Sequence, residues 1–251
     1  MTVPSSYHTH TVFCDGRDTP EELVQTAVAL GCPAIGFSGH SYTAFDERYC
    51  MSEDGTAEYR RQVTALKEKY AGVIRILLGV EQDYYADAPT DGYDYVIGSV
   101  HYVLRDGVYL PVDESAELQQ QIVREHFGGD FYAFAEAYYA LVGDVYDRTG
   151  CTIVGHFDLI TKFNENGVLF DQKHPRYRAA AGAALERLLA APVTFEINTG
   201  AIARGYRTTP YPEPWMLQRI RAAGRPTVRT SDCHDRRQLL FGLYEDGQAV
   251  G

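Results

Sequence analysis

The chain has 251 residues, 45% of them hydrophobic and 23% charged, which suits one α/β barrel or two small domains with a filled core. Its 34 acids against 23 bases leave a net charge of −11, which argues against loose binding to nucleic acid, although a few local Arg or Lys suffice for a small anionic substrate. Five cysteines without a C-x-x-C pair do not make a disulfide framework, no apolar stretch is long enough for a bilayer, and no signal peptide precedes the first motif, so a cytoplasmic protein is expected.

Taken in chain order, an extended run is expected at 4–8, then a helix over 20–31. Asp18-Thr19-Pro20-Glu21-Glu22 marks that helix start, with a capping residue, an early proline and acids near the positive end. A strand at 33–38, a helix at 56–70 and strands at 73–80 and 94–100 follow. Helices at 115–126 and 130–149, a strand at 152–156 and a helix at 174–191 come next. A strand at 193–198, a helix at 213–223, a strand at 226–231 and a short helix at 235–240 complete the pattern. Gly31, Gly72 and Gly224 read as helix stops. Strand and helix alternate about seven times, which indicates a parallel sheet, open or closed into a barrel, in one domain spanning 1–251. Residues 41–55 and 199–214 hold many Tyr, Gly and Pro without a clear period and read as long loops over a site.

Of eight histidines, His8, His10, His40, His101, His156 and His234 fall at or just beyond the C-terminal end of an expected strand; His126 and His174 fall in helical patterns. In α/β barrels that face carries the chemistry. His8-Thr9-His10 places two imidazoles on one side of a strand, roughly 6.5 Å apart by the ~3.3 Å rise per residue, within reach of one ion. Asp232-Cys233-His234 repeats the spacing, with Cys233 turned to the opposite face as a packed thiol, although a thiolate can also bind zinc. Glu81 ends an apolar run and needs a partner, either a metal or a basic side chain. Asp15 precedes a glycine, as turn aspartates do. Each feature alone is ordinary; three strand-end histidines, two i, i+2 pairs and Glu81 together point to a metal cluster.

The order H-x-H, Asp, G-H, V-E, S-V-H, G-H, S-D-x-H, running from His8 to about Gly242, resembles the polymerase-and-histidinol-phosphatase (PHP) superfamily, and within it the histidinol-phosphate phosphatases. The resemblance implies a distorted (β/α)7 barrel and three metal sites. It implies His8, His10, Glu81 and Asp232 at the first ion. It has Glu81 bridging to a second with His101 and His156, and Asp15, His40 and His234 at a third. Cys233, Gly16 after Asp15, and Ser41-Tyr42-Thr43 after His40 depart from the common pattern without removing a ligand.

The implied chemistry is hydrolysis of a small phosphate ester with two or three divalent ions, for which mixed imidazole and carboxylate ligands suit Zn, Fe or Mn. Asp232 is expected to take a proton from the attacking water or His234 to protonate the leaving group, with Glu81 shared between ions. Arg204, in the Gly-flanked loop after the strand at 193–198, is the first candidate for a phosphate clamp and Lys162 the second. Glu81 and Asp83 lie close enough in sequence to meet a substrate amine. Histidinol phosphate is the expected substrate. Another small phosphate ester, a noncatalytic metal-binding module and an amidohydrolase are the competing readings. The complete ligand set weighs against the module, and the lack of an eighth βα unit against the amidohydrolase.

Overall fold

The computed structural model describes residues 3–244. Six parallel strands form one sheet: β1 (Ala34–Phe37), β2 (Arg75–Asp83), β3 (Tyr95–Ser99), β6 (Ile153–Val154), β7 (Thr194–Asn198) and β8 (Thr227–Thr230), neighbours in that order. The N-terminal segment supplies the seventh stave. Ser6 bridges Ile35 on one side and Thr9 bridges Cys233 on the other, both parallel. Backbone bonds Gly36 N to Ser6 O (2.7 Å) and His10 N to Cys233 O (2.8 Å) join this segment to both edges of the sheet. The result is a distorted (β/α)7 barrel. The expected strand at 4–8 exists as isolated bridges, not as a regular strand.

Helices α1 (Pro20–Ala29), α2 (Glu53–Lys69), α3 (Ala116–His126), α4 (Phe131–Thr149), α5 (Pro175–Leu189), the single turn α6 (Gly200–Ala203) and α7 (Pro214–Ala222) connect the staves. Helix α1 starts as its sequence dictates: Thr19 and Glu22 form a reciprocal capping box, and Pro20 takes the first helical position, where its missing N–H costs nothing. Gly31, Gly72 and Gly224 end their helices with φ of 75°, 79° and 66°. Ser52 caps α2 by accepting from Gly55 N, so that helix begins three residues before the expected 56. The expected helix at 235–240 is one 3-10 turn, Arg236–Gln238.

Two strands were absent from the expected pattern. The antiparallel hairpin of β4 (Tyr102–Arg105) and β5 (Val108–Pro111) projects from the C-terminal rim. Its turn is Asp106-Gly107, with φ of 51° and 79°, the two positive angles a tight two-residue hairpin needs. The dipeptide is the strongest short-range hairpin signal, and it sits in plain view between β-rich residues.

One aromatic organises the middle of the barrel. Tyr95 donates to Tyr7 O (2.5 Å) and lies 3.0 Å from Phe37 O. A Cβ at Gly79 would overlap its ring and one at Gly36 would lie 2.5 Å from its hydroxyl, so β2 and, beyond it, β1 carry glycine to seat it. Within the described residues no helix is long and apolar enough to cross a membrane. All five cysteines are free.

Candidate metal centre

The barrel brings all nine expected metal-site residues to one end. His8 and His10 come from the closing segment. His40 follows β1, Glu81 lies near the end of β2, His101 follows β3, His156 follows β6, and Asp232 and His234 follow β8. Strand parallelism puts every one of these ends on the same face, which is why residues up to 226 positions apart in sequence meet. His126 and His174 stand apart: the first ends α3 and the second caps α5, stacked on Tyr132.

Glu81 is the hub and is buried. Its Oε2 faces His8 Nε2 at 3.2 Å, His40 Nδ1 at 3.0 Å and His10 Nε2 at 3.6 Å. Its Oε1 faces His156 Nε2 at 2.9 Å and His101 Nε2 at 3.5 Å, and accepts from Ser99 at 2.6 Å. The two oxygens of one carboxylate thus divide five imidazoles into two sets. Asp232 Oδ1 lies 3.2 Å from His10 Nε2 and 3.6 Å from His8 Nε2. Asp15 joins His234 Nε2 at 3.1 Å and His10 Nδ1 at 3.4 Å. Its side chain and that of His234 are 33% and 24% exposed, which puts this edge of the cluster against solvent.

Three groups have ligand atoms mutually within 4.8 Å: His8, His10 and Asp232; His40, Glu81 and His101; and His10, Asp15, His40 and His234. The grouping differs from the one the resemblance implied. His10 belongs to two groups, and His40 also turns its Nδ1 to Glu81.

The donor set fits a divalent ion. His10 Nε2 is buried and makes no hydrogen bond among the described residues, yet it faces two carboxylates. Burial opposes charge on Glu81, but His40, His8 and His101 hold it well below the usual carboxylate range. Burial likewise opposes charge on Asp232, and Arg204 and His8 outweigh it. For His40 burial wins over Glu81 and Asp15, pushing the imidazole down to about 3 and leaving one ring nitrogen unprotonated. Burial opposes charge on His8, His10 and His101 too, but the carboxylates around them outweigh it and raise these imidazoles, His101 to about 9, so a bound cation would take the place of their protons. Asp232 also has φ of 49°, a left-handed backbone for a non-glycine residue at the point where the chain turns into the cluster.

The adjoining cleft has a volume of about 450 Å³, and Arg204, Lys162 and both Asp15 and His234 line it. Arg204 caps the one-turn helix α6. Its guanidinium donates to Asp232 Oδ2 at 3.0 Å and to Asp232 O at 3.1 Å, and lies 3.1 Å from His234 Nδ1. Gly200 permits this approach, since a Cβ there would lie 2.7 Å from Asp232 Cβ. Lys162 donates to Asp113 O at 2.8 Å and Oδ2 at 3.0 Å. Asp46, Arg48, Tyr49, Tyr102 and Glu114 complete the rim.

Several residues of the site escaped the sequence analysis. Glu196, in β7, is buried and bonds His8 Nδ1 at 2.5 Å. Asp83, expected from the sequence to be able to meet a substrate amine, is instead 3% exposed and accepts from His101 N (3.0 Å) and Tyr85 N (2.8 Å), with His101 Nδ1 at 3.2 Å. Asp113 follows the unforeseen hairpin. Cys233 is the expected packed thiol: it is fully buried, its Sγ donates to Asp235 O at 3.1 Å, and burial pushes it up to about 12. At Gly16 a Cβ would lie 2.5 Å from the His10 carbonyl carbon, so the turn carrying Asp15 excludes a side chain there.

A PHP domain model matches residues 6–200. A Schizosaccharomyces pombe protein named "Probable histidinol-phosphatase" is 27% identical over 96% of this chain and 84% of its own. A crystal structure from Listeria monocytogenes, assigned as a histidinol phosphatase, superposes with a TM-score of 0.81 at 22% identity, covering 95% of this chain and 98% of that one. The histidinol phosphate phosphatase of Lactococcus lactis, solved with zinc, L-histidinol and phosphate, superposes with a TM-score of 0.65 at 20% identity over 92% and 86% of the two chains. The domain model covers more than half the chain, and its reach runs from the closing segment through β7: this chain belongs to the PHP domain family.

Proposed function

We propose that the protein is a metal-dependent phosphomonoester hydrolase that converts L-histidinol phosphate to L-histidinol and phosphate, a step of histidine biosynthesis. One observation carries the reading: the Glu81 carboxylate presents one oxygen to His8, His10 and His40 and the other to His101 and His156. A carboxylate so placed suits a bridge between two cations. The names of the relatives, and the zinc, histidinol and phosphate held by the Lactococcus lactis protein, support the same chemistry.

His8, His10, Asp15, His40, Glu81, His101, His156, Asp232 and His234 would hold two or three ions, with Zn, Fe or Mn suited to their nitrogen and oxygen donors. Such ions supply Lewis acidity and positive charge for phosphoryl transfer. Asp232, kept ionised, is placed to take the proton of an attacking water. His234, beside it at the solvent edge, either completes the ligand set or protonates the leaving oxygen. Arg204 would exchange its bonds to Asp232 for phosphate oxygens, a match its planar fork suits. Lys162 would act at longer range from its pairing with Asp113. Asp46, Asp113 and Glu114 on the rim, once released from Arg48 and Lys162, would suit a phosphate ester whose alcohol carries a cationic amine better than one of an uncharged sugar.

A panel of phosphate esters tests the reading, with Zn, Mn or Fe supplied to metal-stripped protein. Histidinol phosphate should have the highest kcat/KM. A sugar or nucleotide phosphate turned over equally well would leave the hydrolase and remove the substrate.

A further inference from the structure

We propose that Glu196 is a positioning residue of the metal centre: it holds His8 in the tautomer whose Nε2 lone pair points at Glu81 and Asp232. The proposal rests on the divalent-metal reading of the site.

Glu196 is 1% exposed in the middle of β7, with no Lys or Arg bonded to it among the described residues. Four donors saturate it instead. Its Oε1 accepts from His8 Nδ1 at 2.5 Å and Thr230 Oγ1 at 2.6 Å. Its Oε2 accepts from His156 N at 2.6 Å and Asn198 Nδ2 at 3.1 Å. An ionised carboxylate only accepts, so the proton of the short bond belongs to His8 Nδ1. That leaves Nε2, 3.2 Å from Glu81 Oε2 and 3.6 Å from Asp232 Oδ1, as the atom offered to the cluster. A lone pair between two carboxylates is repelled unless positive charge lies among them, and a cation bound there supplies it in place of a second proton on His8. The same carboxylate also fixes the backbone of His156, from the other set around Glu81. One buried acid therefore ties together the closing segment, β6, β7 and β8 at the metal end.

A neutral isostere breaks this arrangement in a specific way. In Glu196→Gln the amide NH2 must face either His156 N–H or His8 Nδ1. The first wastes a buried donor pair. The second flips His8 to the Nε2–H tautomer and removes a metal-facing lone pair. Carboxylate partners of metal-bound histidines are typically worth about 10- to 100-fold in metal affinity.

The test is a zinc titration of metal-stripped protein for wild type, Glu196→Gln, His8→Ala and the double variant. Glu196→Gln should weaken zinc binding roughly 10- to 100-fold in the wild-type background and have no further effect once His8 is gone. Equal losses in both backgrounds would show that Glu196 acts on the fold and not through His8, overturning the proposal. Should a variant not fold, ¹⁵N chemical shifts of His8 in the zinc-loaded wild type decide: the proton should sit on Nδ1, and a proton on Nε2 overturns it. A wild-type protein that takes up no zinc sinks the metal reading itself. Zinc uptake that Glu196→Gln leaves unchanged sinks only the role given to Glu196.

Discussion

The floor of the cleft and its rim are built on opposite principles. The floor consists of strand-end histidines and carboxylates, nearly all below a tenth exposed, whose atoms face each other across 2.9–3.7 Å. Its geometry is set by the barrel, because all of these residues but Asp15 lie on or within two positions of a paired strand or bridge residue. The rim consists of loop residues held in ion pairs: Lys162 with Asp113, Arg48 with Asp46, and Arg204 with Asp232 of the floor. A rim cation must give up a partner to receive a ligand; a floor residue needs only to stay where it is. Preorganisation belongs to the floor, and exchange of ion pairs to the rim.

The largest expected effect strikes the whole floor. Metal removal by a chelator should abolish phosphatase activity, and elemental analysis of the purified protein should find more than one equivalent of transition metal. Full activity in chelator with one ion or fewer would break the comparison at its base. Next comes Glu81→Gln, which removes the charge shared by both imidazole sets. It should cost roughly 100-fold or more in kcat, beyond the loss typical of an outer partner, and more than His40→Ala or His234→Ala. Near wild-type turnover would show that Glu81 is not shared.

The rim should respond more mildly and without metal loss. Arg204→Ala should lower kcat/KM for histidinol phosphate by about 10- to 150-fold, the cost of a charge-assisted contact of roughly 1.5–3 kcal/mol. Metal content should be unchanged, and Arg204→Lys should recover part of the loss, since a point charge lacks the fork. If kcat/KM stays intact, the loop 199–209 does not clamp the phosphate. Lys162→Ala should cost less than Arg204→Ala in the same assay, because Lys162 would act at longer range and without a planar fork; a greater loss would reverse the order of the two cations.

The smallest effect concerns stability at the rim. Arg48 holds the Asp46 carboxyl at about 2, helped by Tyr102 against partial burial and down from its ordinary 3.8. A lowered folded pKa means that the contribution is present above about pH 4 and lost as pH falls through 2. Unfolding of metal-free wild type and Asp46→Asn between pH 2 and 5 should give curves that converge at the acid end. Parallel curves would place the Asp46 pairing outside the folding balance.

How much of this was legible beforehand follows the same division. The H-x-H and D-x-H spacings, and the lone histidines after β1, β3 and β6, could be read because alternation in a strand and the end of an apolar run are local properties. Glu196 could not be read that way, although it too is a carboxylate inside an apolar strand. Its neighbour Asn198 bonds it but gives no sign of a metal site, and its partner His8 is 188 positions away. Asp83 was visible, but its direction was not, since His101 settles it from the next strand. The β4–β5 hairpin was a missed signal and not a hidden one, for Asp106-Gly107 announces it locally.

The sequence by itself determined the alternating α/β character, the helix starts and stops, and the set of side chains at the strand ends, since capping, periodicity and strand length act over a few residues. Only the tertiary structure decided that residues 6–10 close the ring between β1 and β8, that Glu81 divides its oxygens between two sets of imidazoles, and that Arg204 rests on Asp232. Each of those depends on parallel pairing between distant segments, where hydrogen-bond register, and not local propensity, fixes which atoms come within 3–4 Å of one another.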